Sequence, residues 1–124
     1  MVTMAKVMVV DDEEDIRDLV KMVMEKEGFE VESAKDGKDL LEKIDRFQPD
    51  LIILDVMMPG PSTKEILQKL REKDVNSKIL LLTVVRFSSE EIKKLSEIGN
   101  VVGYMTKPFD IPELVSEINK HVKA

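Results

Sequence analysis

The chain has 124 residues, no cysteine, and 25 acidic against 19 basic side chains, for a formal charge of −6. A chain of that length is most simply one domain, able to bury roughly 65% of its unfolded surface, and without cysteine it has neither disulfides nor thiolate chemistry. The acidic balance argues against direct nucleic-acid binding, and the short, charge-broken apolar runs argue against a membrane span or a signal segment at Met1 to Val10, so a cytoplasmic protein is expected.

In chain order, Lys6 to Val10 reads as a strand that delivers Asp11 and Asp12 at its end. A helix follows over about 14–27, with Ile16, Leu19, Val20, Val23 and Met24 on one face and Gly28 as its stop. Glu30 to Ser33 mixes charged and apolar side chains, which suits an edge strand, and a second helix covers about 37–47. Leu51 to Leu54 is an unbroken aliphatic strand ending in Asp55. After Gly60-Pro61, Ser62 and Glu65 write a capping box for a third helix over about 63–73. Lys78 to Leu82 is the fourth strand and Thr83 ends it. Ser88 and Glu91 open a fourth helix over about 89–98, which Gly99 stops. Val101 to Met105 is the fifth strand, with Lys107 and Pro108 beyond it, and Asp110 and Glu113 open the last helix, about 111–122. The eight methionines fall mostly on apolar faces as core filling, while His121, in the last helical turn, is expected at the surface.

Strict alternation of strand and helix with short connections requires parallel strands and right-handed crossovers, hence helices on both faces of one sheet. The predicted fold is a three-layer, doubly wound α/β domain with strand order 2-1-3-4-5, spanning residues 1–124. Ligands of such sheets bind beyond the carboxyl ends of the strands where the connections diverge, here between strands 1 and 3. Asp11, Asp12 and Asp55 converge at that crevice, and oxygen-only ligation suits Mg²⁺, with no histidine or cysteine nearby for zinc. Taken alone, Asp11 and Asp12 could equally be helix caps, and Lys107 an ordinary partner to an acid.

Four segments, Val-Val-Asp-Asp at 9–12, Leu-Ile-Ile-Leu-Asp-Val-Met-Met-Pro at 51–59, Ile-Leu-Leu-Leu-Thr at 79–83 and Gly-Tyr-Met-Thr-Lys-Pro-Phe at 103–109, carry a resemblance over the whole chain. In their order they resemble the response-regulator receiver domains, of the single-domain chemotaxis type with a flavodoxin-like (βα)5 fold. The resemblance implies that Asp55 accepts a phosphoryl group from a phosphohistidine of a sensor histidine kinase or phosphotransfer protein. It implies that Asp12 and Asp55 ligate Mg²⁺ directly, Asp11 through water and Met57 through its backbone carbonyl, with no organic cofactor. Thr83 and Lys107 would contact phosphoryl oxygens, and Thr83 with Tyr104 would form a switch that changes binding of an output protein on the face of the fourth helix, fifth strand and fifth helix. The domain would catalyse only its own phosphorylation and dephosphorylation, without being an enzyme toward other substrates. A cis Lys107-Pro108 peptide is implied by resemblance as well.

Some positions depart from the family pattern. Val84 stands where a small residue is usual, and with Met57 and Val85 it surrounds the expected approach of hydrolytic water, which favours a long-lived phosphoryl state. Thr63 replaces a usual glycine, so the loop after Asp55 is expected to take its own path, and the interval from Thr83 to Tyr104 is slightly long. A phosphatase with a nucleophilic aspartate is a competing class, but it needs a second Asp two residues on, where this chain has Met57. A receiver cut from a longer regulator or hybrid kinase, or a pseudo-receiver used only for interaction, are further readings.

Overall fold

A computed structural model of the chain describes residues 4–123, so the outermost residues of the predicted domain lie outside the described ones. The elements alternate throughout: β1 (Lys6–Val10), α1 (Glu14–Lys26), β2 (Glu30–Ala34), α2 (Gly37–Phe47), β3 (Leu51–Asp55), α3 (Thr63–Glu72), β4 (Lys78–Thr83), α4 (Ser89–Ile98), β5 (Val101–Thr106) and α5 (Ile111–Asn119). All four pairings are parallel, as the alternation demands, and the sheet runs β2-β1-β3-β4-β5, with the mixed charged and apolar strand β2 at one edge. Among the described residues no helix is long and apolar enough to cross a membrane.

Period-two alternation divides the strands between two cores. Val7, Val9, Leu51, Ile53, Leu80 and Leu82 face one way, onto Val20 and Met24 of α1 and Leu114 and Ile118 of α5. Met8, Val10, Ile52, Leu54, Ile79 and Leu81 face the other, onto Leu40 and Ile44 of α2 and Ile66, Leu67 and Leu70 of α3. β1, β3 and β4 are therefore buried on both sides, and their unbroken aliphatic runs follow from that. The methionines divide less cleanly than their helical spacing suggests: Met8, Met24 and Met105 are core, whereas Met22 and Met57 are exposed.

The element ends differ from expectation in ways the ladders explain. β3 and β4 each extend one residue further, because Asp55 still pairs with Leu82 and Thr83 with Thr106. The two functional candidates thus belong to strands rather than to loops. α5 stops at Asn119, three residues earlier than its apolar pattern, with a single turn closed by Val122 N–H to the Ile118 carbonyl. Gly28 has φ +96° and ends α1 in the left-handed region that glycine adopts freely. Gly99 is different: its backbone is extended, and an added Cβ would lie 3.0 Å from Leu67 Cδ2, so a side chain there would push on the α3 packing. Gln48 and Asp74, with φ of 53° and 57°, end α2 and α3 in the conformation usually left to glycine.

The sequence-predicted caps are present. Ser62 and Ser88 each form a complete capping box with Glu65 and Glu91, and the Asp110 carboxylate accepts from the Glu113 amide. Neither Asp11 nor Asp12 occupies the N-cap of α1, which falls on Glu13, so the capping alternative for that acidic pair does not hold.

Candidate functional site

The carboxyl ends of β1, β3 and β4 stand side by side, and each closes on itself in the same manner. Asp11 Oδ1 accepts from the Glu13 amide at 2.9 Å, Asp55 Oδ1 from the Met57 amide at 3.0 Å, and Thr83 Oγ1 from the Val85 amide at 3.1 Å. A short side chain that binds the backbone two residues on is locked in rotamer without help from a distant partner. For the two aspartates this arrangement ties up Oδ1 and leaves Oδ2 facing the site. Arg17 steadies the turn by donating to the Asp11 carbonyl at 2.7 Å, and the Asp11 amide donates to the Ala34 carbonyl of β2.

Asp11, Asp12 and Asp55 each place a carboxylate oxygen within 4.8 Å of the others. Asp11 and Asp55 are buried, while Asp12 is exposed. Lys107 enters from the end of β5, held by its own amide donating to the Thr83 carbonyl at 2.7 Å. Its ammonium donates to Asp11 Oδ2 at 2.7 Å and lies 3.5 Å from both Asp55 Oδ2 and Glu13 Oε1. The Lys107-Pro108 peptide is cis.

Burial raises the Asp55 carboxyl above its ordinary pKa; the Met57 amide pulls the other way, the Asp11 charge adds to the rise, and Lys107 offsets only part of it. Burial alone would lower the Lys107 ammonium, but the hydrogen bond and charge of Asp11, with Asp55 and Glu13, raise it. The centre thus has more buried negative charge than one lysine balances. An all-oxygen donor set in that condition fits a hard divalent cation such as Mg²⁺, which takes one or two carboxylates and keeps several waters.

Tyr104 is not part of this cluster. It sits in mid-β5 opposite Leu81, half-buried, with its ring edge-on to Phe87 at 5.6 Å between centroids. Met57 donates its amide to Asp55, and the residue is 63% exposed. Val84 and Val85, just past the end of β4, are exposed as well. Sequence reasoning missed Glu13, the Phe87–Tyr104 pair and the three matching turns; the i, i+2 spacing of Asp11, Asp55 and Thr83 to the amides they bind was the available signal. A concavity of about 860 Å³ at the opposite end of the sheet, lined by residues such as Asp50, Asn76 and Lys78, is remote from these groups.

A parallel 2-1-3-4-5 sheet with three acids and a lysine at its carboxyl edge defines a class of doubly wound domains built to handle an anion beside a cation. The chain belongs to the response-regulator receiver domains: the family model "Response regulator receiver domain" matches residues 7–119. It is 39% identical over 113 residues to the transcriptional regulatory protein TrcR of Mycobacterium tuberculosis, covering 91% of this chain and 43% of that protein. The chain thus spans less than half the length of that relative. The structure superposes on chemotaxis protein CheY4 of Vibrio cholerae with a TM-score of 0.85 at 33% identity, covering 97% of this chain and all (100%) of that one. It superposes on response regulator TrrA of Thermotoga maritima, solved in complex with Mg²⁺ and BeF, with a TM-score of 0.77 at 35% identity, covering 96% and 100% of the two chains. Receiver domains bind Mg²⁺ at an acidic site and work with histidine kinases and output partners in two-component signalling.

Proposed function

We propose that the domain is a phosphorylation-operated switch in which Asp55 is the phosphoacceptor. The observation that carries this reading is the division of labour at Asp55: Oδ1 is fixed by the Met57 amide while Oδ2 faces Lys107 at 3.5 Å, at the carboxyl edge beside Asp11 and Asp12. Asp55 Oδ2 attacks the phosphorus of a phosphohistidine, the P–N bond breaks, and the imidazole leaves with its electron pair and takes up a proton. Asp12, Asp55 and the Met57 carbonyl would hold Mg²⁺ directly and Asp11 through water. The bound cation supplies charge neutralisation of the phosphoryl oxygens and of the acids themselves. Lys107 and the Thr83 hydroxyl contact the phosphoryl oxygens, so positioning and electrostatics supply most of the catalysis. The chain acts only on itself, and the apolar rim of Met57, Val84 and Val85 slows hydrolytic water.

The phosphoryl group draws the Thr83 hydroxyl from the Val85 amide, and Tyr104 follows inward. Moving such an equilibrium from 1:99 to 99:1 takes about 5.5 kcal/mol of differential binding. An output protein reads the change in the cytoplasm on the α4–β5–α5 face, where Phe87, Ile92, Tyr104 and His121 line a groove of about 510 Å³. Mg²⁺ with acetyl phosphate tests the reading: the wild type gains one phosphoryl group, and Asp55→Asn or chelation abolishes it. Modification that persists in Asp55→Asn overturns it, and Val84→Ala rates equal to wild type remove the role of the rim.

A further inference from the structure

Four of the five helices begin on a side chain that caps them: Asp36 accepts from the Asp39 amide, Ser62 from Glu65, Ser88 from Glu91 and Asp110 from Glu113. α1 does not. Its N-cap is Glu13, whose backbone is extended as a cap requires, but whose side chain makes no capping bond. Capping favours the short oxygens of Ser, Thr, Asp and Asn, which reach the N2 and N3 amides, and glutamate is a weak choice there. The Glu13 carboxylate goes to the site instead, with Oε1 3.5 Å from Lys107 Nζ.

Lys107 therefore has three acidic neighbours of unequal freedom. Asp11 and Asp55 have side chains 0% and 3% exposed, so they stay where the strands put them, while the Glu13 side chain is 63% exposed. Only Glu13 can withdraw into water without leaving a buried charge unpaired. We propose that Glu13 is a positioning residue for Lys107: with Asp11 it retains the ammonium beside β1, and it competes for that ammonium with a phosphoryl group on Asp55. The proposal rests on the phosphoacceptor reading above. Half-exposed ion pairs are weak and screened by salt, so the competition is worth a factor of about two to five in affinity rather than a block.

The test must separate contact from charge, and Glu13→Asp does so. Aspartate keeps the charge, is one methylene too short to reach Lys107, and suits the N-cap. Beryllofluoride binding in the presence of Mg²⁺, followed by ¹⁹F NMR, is compared among wild type, Glu13→Gln, Glu13→Asp and Glu14→Gln, the last removing a neighbouring acid in the first turn of α1. Glu13→Gln and Glu13→Asp both tighten binding about two- to five-fold, and Glu14→Gln changes it by less than half as much. In the metal-free proteins the Lys107 ε-methylene resonance shifts in both Glu13 variants and not in Glu14→Gln, and Glu13→Asp melts above Glu13→Gln because it supplies the side-chain cap that α1 otherwise lacks. Beryllofluoride affinity of Glu13→Asp equal to wild type, or Glu14→Gln matching Glu13→Gln, overturns the proposal in favour of simple field effects. Failure of the wild type to bind beryllofluoride instead removes the phosphoacceptor reading, and an unshifted Lys107 resonance in Glu13→Asp then rejects the contact by itself.

Discussion

The two halves of the molecule are packed to different standards. Along β1 and β3 every residue after Lys6 is buried, and α1, α2 and α3 each sink at least three residues into the cores, although the edge strand β2 buries only Val31 and Ala34. At the other edge β4 is still buried from Ile79 to Thr83, but beyond it α4 buries none of its residues fully, and in β5 only Val101 and Met105 are buried. The acids stand on the well-packed half, while Tyr104 and Phe87 stand on the loose one. Groups that must hold several charges close together need strands that do not yield; an element meant to change arrangement is drawn from the low-stability end of the structure.

Truncation gives the largest test of this contrast. Leu54→Ala removes a fully buried side chain from β3 and should cost about 2–5 kcal/mol in urea unfolding. Leu95→Ala, from the half-buried face of α4, should cost about 1 kcal/mol. Equal costs would erase the distinction between the halves.

Removing a charge from the well-packed half should act in the opposite direction. With its carboxyl pKa raised by burial, Asp55 holds a proton more tightly folded than unfolded. The sign follows from linkage: the part of the metal-free stability that this shift contributes is fully present below the unfolded carboxylate value of about 3.9 and is lost as pH rises through the raised folded value. Asp55→Asn should therefore melt higher than wild type at neutral pH without metal and lose that pH dependence, and Mg²⁺ should raise the wild type more than the variant. A lower melting point for Asp55→Asn would show that the acid is comfortably paired.

A smaller effect sharpens the loose side. Ser88→Ala removes the α4 cap and should cost about 1 kcal/mol, with faster amide exchange confined to α4 and the loop before it. Exchange that rises equally in β1 and β3 would mean that α4 is not an independent unit.

Much of this was legible in the residues, for identifiable reasons. The aliphatic runs at 51–54 and 79–82 read as strands buried on both faces, strict alternation makes the sheet parallel, and the mixed charged run at 30–33 marks an edge strand, which together give the order 2-1-3-4-5. Asp11, Asp12, Asp55 and Lys107 were placed together because parallel strands deliver their ends to one edge. The strand ends at Asp55 and Thr83 were read one residue short, since a pattern of hydrophobicity stops where a polar residue begins although the ladder continues. Glu13 is hidden for a related reason: adjacent acids before a helix look like caps, whereas its side chain reaches toward Lys107. The Phe87–Tyr104 contact joins a loop to a strand, and no periodicity encodes it.

The central claim is that Asp55 itself carries the phosphoryl group. Reduction with borohydride after treatment with Mg²⁺ and acetyl phosphate converts an aspartyl phosphate to homoserine, which peptide mass spectrometry locates. The account predicts homoserine at position 55 and nowhere else, only when both Mg²⁺ and phosphodonor are present. Homoserine at position 11 or 12, or an unreduced chain whose phosphoryl group lies on a hydroxyl, would contradict it.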